Sequence, residues 1–399
     1  MSLPAPHTDR RALVTLLAVV FLNIAGFGVV VPLLPFFGKA FNAPPWQITL
    51  LFSMFSAGQF LGEQVWGRLS DRWGRRPVLI LTISISALTY LLLAFSPNIW
   101  WAYAARLTCG IFSGNISTLQ GCMADISKPE ERAGRMGVMG SAFSMGFMTG
   151  PALGGFLAQP QLGAVGFHLP LYAACILGLG SALAVFLFVR ESRPEPTGGP
   201  RRSRRAAYGE AFTNPVIRRI LIISFVVVSG FAGIESTYGL WTAGRFGWGP
   251  AEIGMAFMFI GALGAICQGL VTGYLVRRHG EARVLTGGLI SMFVGMITQF
   301  AAPVWPVAMV GFAFVCFGQS ICFPNLAGLI SRSTSPDRQG EMLGVNMSNN
   351  ALARIGGPVY AGWIYSQIDP GSPFLLTAIL IVPALIMAFQ IVRLMPRPA

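Results

Sequence analysis

Charge is scarce in this chain. Asp, Glu, Lys and Arg make up 11% of its 399 residues, whereas a soluble domain carries roughly 25%, so a soluble fold of this size is excluded. Hydrophobic residues make up 54% of the chain and its mean hydropathy is +0.63. The alternative is a stack of membrane helices, since only helices and closed barrels satisfy every backbone N–H and C=O in lipid. The alternation that a barrel strand requires is missing, because the apolar runs are continuous over about 20 residues. No small-residue cleavage site follows the first apolar run and no amphipathic, Ser-rich leader precedes it, so that run is expected to be a span that stays. Metal-ligand spacing is missing too. The six cysteines, Cys109, Cys122, Cys175, Cys267, Cys316 and Cys322, fall inside or at the ends of apolar runs and read as small packing residues. Without a nucleophile–base pair, a metal cluster or a phosphate-binding glycine loop, enzyme chemistry has no support, and neither a metal nor a cofactor is expected.

What is present is a rhythm of apolar stretches, expected at 12–37, 47–66, 77–96, 99–124, 135–158, 168–190, 215–243, 250–276, 282–302, 305–330, 339–366 and 372–394. These make twelve spans, each long enough at 1.5 Å per residue to cross a hydrocarbon core of about 30 Å. The net charge of +13 is spread over the short segments between them rather than over one basic face, which argues against nucleic acid. Cytoplasmic loops retain Lys and Arg. With the N-terminus inside, 24 of the 28 Lys and Arg residues lie in cytoplasmic segments; Lys39 and Arg245 are outside, and Arg106 and Arg354 lie within spans. Both termini are therefore predicted to be cytoplasmic.

Self-similarity organises the twelve spans. At a shift of 207, Gly137-Val138 recurs as Gly344-Val345, Ser141 as Ser348, Gly150-Pro151 as Gly357-Pro358 and Gly155 as Gly362; Gly67 through Gly74 recurs as Gly273 through Gly280 at a shift of 206. Such repetition marks a duplicated six-helix unit. The expected fold class is an all-α membrane protein of two pseudo-symmetric six-helix bundles. One bundle spans 1–190 and the other 215–399, with a Pro-, Gly- and Arg-rich linker at 191–214 between them.

The most specific local pattern is Gly67-Arg68-Leu69-Ser70-Asp71-Arg72-Trp73-Gly74-Arg75-Arg76-Pro77, placed by the hydropathy between spans two and three. This run resembles the G-x-L-x-D-R-x-G-R-R-P signature of the major facilitator superfamily. Gly67 permits close helix approach, and Asp71 is suited to accept charge-assisted hydrogen bonds from arginines or from a helix N-terminus. The resemblance implies a conformational switch that involves Gly67, Asp71, Arg72, Gly74, Arg75 and Arg76. In the second copy Arg277 stands in the place of Asp71. Span five carries Gly140, Gly146, Gly150, Pro151, Gly154 and Gly155, similar to a pattern associated with antiporters of that superfamily. Gly146, Gly150 and Gly154 form a flat stripe for another helix, and Pro151 permits a bend.

Charges inside spans are costly, at about 2.5 to 3.5 kcal/mol on the insertion scale, and so become functional candidates. Arg106 heads Arg106-Leu107-Thr108-Cys109-Gly110, similar to the superfamily's intramembrane arginine motif, which implies a part in proton coupling. Glu235, about 24 Å along the helix beyond Arg219, is the leading proton carrier. Glu63 reads equally as a proton or substrate site and as a residue reaching for headgroups. Arg354 has no carboxylate within a helical turn, so its partner is another helix or an anionic substrate. Asn23, Asn115, Gln120, Gln319, Asn325 and Asn350, with Phe27, Phe231, Tyr238 and Trp241, are candidates to line a substrate cavity.

The resemblance extends over the whole chain and is strongest to the tetracycline/proton antiporters of the drug/proton antiporter branch. It implies a multi-pass protein of a bacterial inner membrane whose partners are a small-molecule substrate and membrane lipids, with the proton as coupling ion and the protein a monomer. Where that group carries an aspartate in the first span this chain has Asn23, and its histidine and acid positions in spans eight and nine are Gly264 and Met292. The expected activity is proton-coupled export of hydrophobic or cationic small molecules, multidrug or tetracycline-like. Two alternatives stand beside it: proton-coupled transport of an anionic metabolite or siderophore, and a non-transporting receptor or lipid-handling protein on the same scaffold.

Overall fold

A computed structural model describes residues 10–128, 131–191, 209, 213–335 and 338–394. Most of the expected linker, including its arginine cluster, lies outside them. Grouped across short breaks, the long helices of the described residues number twelve, and no strand occurs among them. They are α1 (Arg10–Val30), α2 (Pro45–Trp73), α3 (Arg75–Ala94), α4 (Ile99–Ser113 and Ile116–Asp125), α5 (Arg132–Leu157) and α6 (His168–Phe188). The second six are α7 (Pro215–Phe246), α8 (Pro250–His279), α9 (Glu281–Ala301), α10 (Trp305–Arg332), α11 (Gln339–Gln367) and α12 (Ser372–Leu394). Eight of these are long and apolar enough to cross a membrane by length and composition. The four that fall short, α2, α4, α5 and α11, include the three that carry Glu63, Arg106 and Arg354 and the one built on the glycine stripe.

Local chemistry explains the ends and the breaks. Asn98 Oδ1 accepts from the N–H groups of Trp100 and Trp101 to start α4. Asn214 Oδ1 does the same for Val216 and Ile217, with Pro215 in the first turn of α7. The expected first span of 12–37 is divided, because Pro32 and Pro35 remove two backbone donors; a second short helix resumes at Leu34–Ala40. Span four is likewise interrupted at Gly114-Asn115, where Asn115 Nδ2 donates to Thr82 Oγ1 on α3 (2.9 Å). In α8 a π turn at Cys267–Val271 is bridged by Thr272 Oγ1, which donates to the Cys267 carbonyl (2.9 Å).

The duplication is visible in the packing. α1 packs on α5 and α6 and α3 on α4 and α6; six helices on, α7 packs on α11 and α12 and α9 on α10 and α12. The turn glycines Gly74 (φ 106°) and Gly280 (φ 82°), 206 positions apart, take the same backbone conformation, which L side chains rarely adopt. Pro151 and Pro358, 207 apart, both lie inside helices. By contacts, the chain forms two compact units. The first joins residues 1–43 and 54–198 with 248–262, and the second joins 199–247 and 263–399 with 44–53. Each thus includes the first part of a helix from the other sequence repeat. In the first unit an apolar core gathers Leu16, Val19, Leu79, Ile83, Met123 and Val185. All six cysteines are buried and none forms a disulfide.

Helix backbones approach at glycines. The stripe Gly146, Gly150, Gly154 lies on α1, where added Cβ atoms would meet the carbonyls of Phe21, Ala25 and Val29, residues that share its four-residue spacing. Between α2 and α4 the arrangement is reciprocal: Gly58 and Gly62 meet the backbone at Leu107 and Ile111, while Gly110 and Gly114 meet it at Phe55 and Glu63. In the second unit, Gly288 and Gly318 face each other, as do Gly295 and Gly311. In lipid, where apolar side chains gain little by leaving the solvent, such packing is what holds helices together. Gly62→Ala, whose Cβ would collide with the Ile111 carbonyl, is expected to destabilise the purified protein by about 1 to 3 kcal/mol. Gly137→Ala, which meets nothing within 4 Å, is expected to leave stability unchanged; thermal unfolding in detergent compares the two.

Candidate functional site

The signature run is helical for most of its length. α2 continues unbroken to Trp73, so Gly67 through Trp73 form its last turns and Gly74 alone separates it from α3. Hydropathy locates the end of an apolar run, whereas the helix extends beyond it through residues that are compatible with helix. Glu63 lies ten residues, about 15 Å, from the end of α2.

Arg75 is the centre of this region. Its guanidinium pairs with Asp71 (3.0 Å) and with Asp125 at the end of α4 (3.3 Å), and donates to Ser70 Oγ (2.8 Å). Gly121 leaves the space it occupies, since a Cβ there would come 2.7 Å from the guanidinium carbon. Glu191, the first residue of the expected linker, returns to this loop. Its carboxylate accepts from the backbone N–H groups of Arg75 (2.7 Å) and Arg76 (3.2 Å), the first two residues of α3. An anion there satisfies unpaired donors and complements the helix dipole. A Cβ on Gly74 would come within 2.8 Å of all three carboxyl atoms. Arg76 donates to the Phe186 carbonyl (2.6 Å) and lies over that residue's ring, tying α3 to α6. Arg72 is exposed, and Gly67 faces Ser117.

Deeper in the first unit, Arg106 is 1% exposed. Its guanidinium sits 4.5 Å from the ring centroid of Phe55 and 6.0 Å from that of Phe27, and the two rings lie 4.8 Å apart. α1, α2 and α4 thus bring a cation against two aromatic faces. Asn23 and Phe27, one turn apart on α1, are half-buried; Asn115 is buried on Thr82, and Gln120 is exposed.

In the second unit α7 is enclosed from Val227 to Thr242 except at Phe231 and Glu235, which are one turn apart and half-buried. A carboxylate and a ring therefore share the single open face of that stretch. Tyr238 and Trp241 lie in the interior: Tyr238 stacks on Phe312 at 4.1 Å, and Trp241 meets Phe374 edge-on at 4.8 Å. Asn350 accepts from Ser224 Oγ (2.7 Å), joining α11 to α7, while Asn325 donates to the Ile321 carbonyl within α10 and Gln319 is half-buried. Arg354, in the middle of α11, is exposed, and no hydrogen bond or ion pair reaches it among the described residues. By helical spacing it lies on the side of Met347 and Ala351, about 150° from Leu352, Val359 and Trp363.

A duplicated set of helices with this signature has a counterpart among known proteins. A profile of the Major Facilitator Superfamily matches residues 16–278 and 246–399. The chain belongs to the Major Facilitator Superfamily. Among the relatives of this superfamily member, the class C tetracycline resistance protein of Escherichia coli is 30% identical over 369 residues, 90% of each chain. Multidrug resistance protein 2 of Bacillus subtilis is 25% identical over 388 residues, 95% of this chain and 94% of that one. Among solved structures, the human organic anion transporter MFSD10 (TETRAN) superposes with a TM-score of 0.71 at 25% identity, covering 97% of this chain and all of that one. The chain is thus a multi-pass membrane transporter of a family that is not enzymatic.

Two site residues escaped the sequence. Phe55 lies 51 positions from Arg106 in an apolar run and carries no local signal. Glu191 is the first residue of the expected linker, where an acid directly after a span is the local clue. The aromatic contact is testable. Phe55→Leu preserves apolar volume but removes the ring face, so it is expected to lower stability by roughly 0.5 to 2 kcal/mol, read by thermal unfolding in detergent against Phe259→Leu on an exposed surface.

Proposed function

We propose that this superfamily member is a proton-coupled secondary exporter of hydrophobic or cationic small molecules, working by alternating access in a bacterial inner membrane with both termini cytoplasmic. The observation that carries the reading is the pairing of Glu235 with Phe231 on the one open face of central α7. A carboxylate there can hold either a proton or a cationic substrate, and the neighbouring ring supplies the apolar and cation–π contact that such a substrate prefers. Exchange of the two occupants at one acid couples their flows. The tetracycline and multidrug resistance relatives support the same reading. Arg106, set against Phe27 and Phe55, is assigned to proton coupling from the first bundle, and Glu63 on α2 is the second candidate carrier.

One observation favours a second substrate class. Arg354 is a charge in mid-helix, exposed and away from the side of Leu352, Val359 and Trp363, and it is suited to an anionic group. The similarity to a human organic anion transporter points the same way.

Flux in everted vesicles distinguishes these readings. Under an imposed proton gradient, uptake of a fluorescent hydrophobic cation is expected, with coupling lost and binding of the cation weakened in Glu235→Gln. Unchanged coupled flux in both Glu235→Gln and Glu63→Gln would sink the proposed carriers. Gradient-driven flux of a fluorescent organic anion, abolished by Arg354→Gln, would select the second class instead.

A further inference from the structure

The ion pair Arg75–Asp125 has a counterpart in the second unit. Glu281 is the first residue of α9, as Arg75 is of α3, and Arg332 ends α10, as Asp125 ends α4. Glu281 and Arg332 lie 3.6 Å apart. The glycine beside the pair recurs too: Gly121 against Arg75 becomes Gly328 against Glu281, where a Cβ would come 2.9 Å from the carboxylate. Position, partner and neighbouring glycine are repeated, but the charges are exchanged.

The exchange matters because a helix has a positive N-terminal and a negative C-terminal end. In the second unit both charges suit their helix ends, with an acid at the start of α9 and a base at the end of α10. In the first unit both are opposed, with an arginine at the start of α3 and an aspartate at the end of α4. Glu191 corrects this at α3, placing its carboxylate on the N–H groups of Arg75 and Arg76. Among the described residues, and its chain neighbours aside, nothing would meet a Cβ on Gly280 within 4 Å.

We propose that Glu191 is a positioning residue that supplies from the end of α6 the negative charge which the reversed Arg75–Asp125 pair denies to the start of α3. The α2–α3 turn, with Asp71 and Arg75, is held in place through it, and it is required only because of that reversal. This assignment goes beyond the transport reading and does not depend on which substrate is carried.

Hydrogen exchange followed by mass spectrometry on the full-length purified protein tests it at the amides of Gly74, Arg75, Arg76 and Val78. Glu191→Gln, which keeps the shape and removes the charge, is expected to accelerate their exchange about tenfold, the loss of charge-assisted hydrogen bonds to those amides. The acceleration should shrink as salt is raised. In a background of Arg75→Glu with Asp125→Arg, which gives the first unit the polarity of the second, Glu191→Gln should change exchange less than about twofold. The reciprocal swap, Glu281→Arg with Arg332→Asp, tests the same idea where the first background does not fold: exchange at the start of α9 should then rise while that of α3 stays constant. Equal acceleration by Glu191→Gln in both backgrounds, no acceleration in the unaltered protein, or an unaffected α9 after the reciprocal swap would each overturn the proposal.

Discussion

In hydrocarbon, helices have no water to exclude from one another, and their association rests on how closely their backbones can come. In this protein that closeness is reached at glycines facing carbonyls. The stripe on α5 against α1 and the paired glycines of α2–α4 and α9–α10 follow one rule: a missing side chain on one helix accommodates the main chain of its neighbour. Everything polar is placed by this packing. Phe55 and Arg106 come together because Gly58 and Gly110 bring α2 and α4 together beside them, and Arg75 reaches Asp125 because Gly121 leaves the way open.

The charges within the bundles are held by different means. Arg106 is enclosed and rests on ring faces, which lower the cost of burying it. Arg354 is exposed, and Glu235 sits half-buried beside Phe231. At the α2–α3 turn, Arg75 is satisfied by two carboxylates and a hydroxyl. These charges thus run from enclosed at Arg106 to accessible at Arg354.

Most of the architecture was legible in the sequence, and the reasons are physical. A scarcity of charge and long apolar runs leave few folds in lipid, so the all-helical fold was legible from hydropathy, with eight of the expected spans long and apolar enough to cross a membrane, and the repeat from Gly150-Pro151 and Gly357-Pro358. Helix ends were less legible. Gly67 through Trp73 are polar yet remain helical, since hydropathy reports the solvent and not the backbone; conversely, the breaks at Pro32 and at Gly114-Asn115 lie inside apolar runs. Contacts over long sequence separations, such as Arg106 with Phe55 and Arg75 with Glu191, were not legible, because each depends on a packing angle that no local pattern records. The polarity exchange required both: the repeat to align the residues and the coordinates to show that they pair.

The six cysteines, first met as unremarkable packing residues, are all enclosed and none is bonded to another. Their thiols are shielded from water-borne reagents, so the unaltered chain offers a quiet background for maleimide and spin-label chemistry. A single cysteine introduced on an exposed turn would report alone, and distances between two such reporters can be followed without first stripping the protein of its own sulfur.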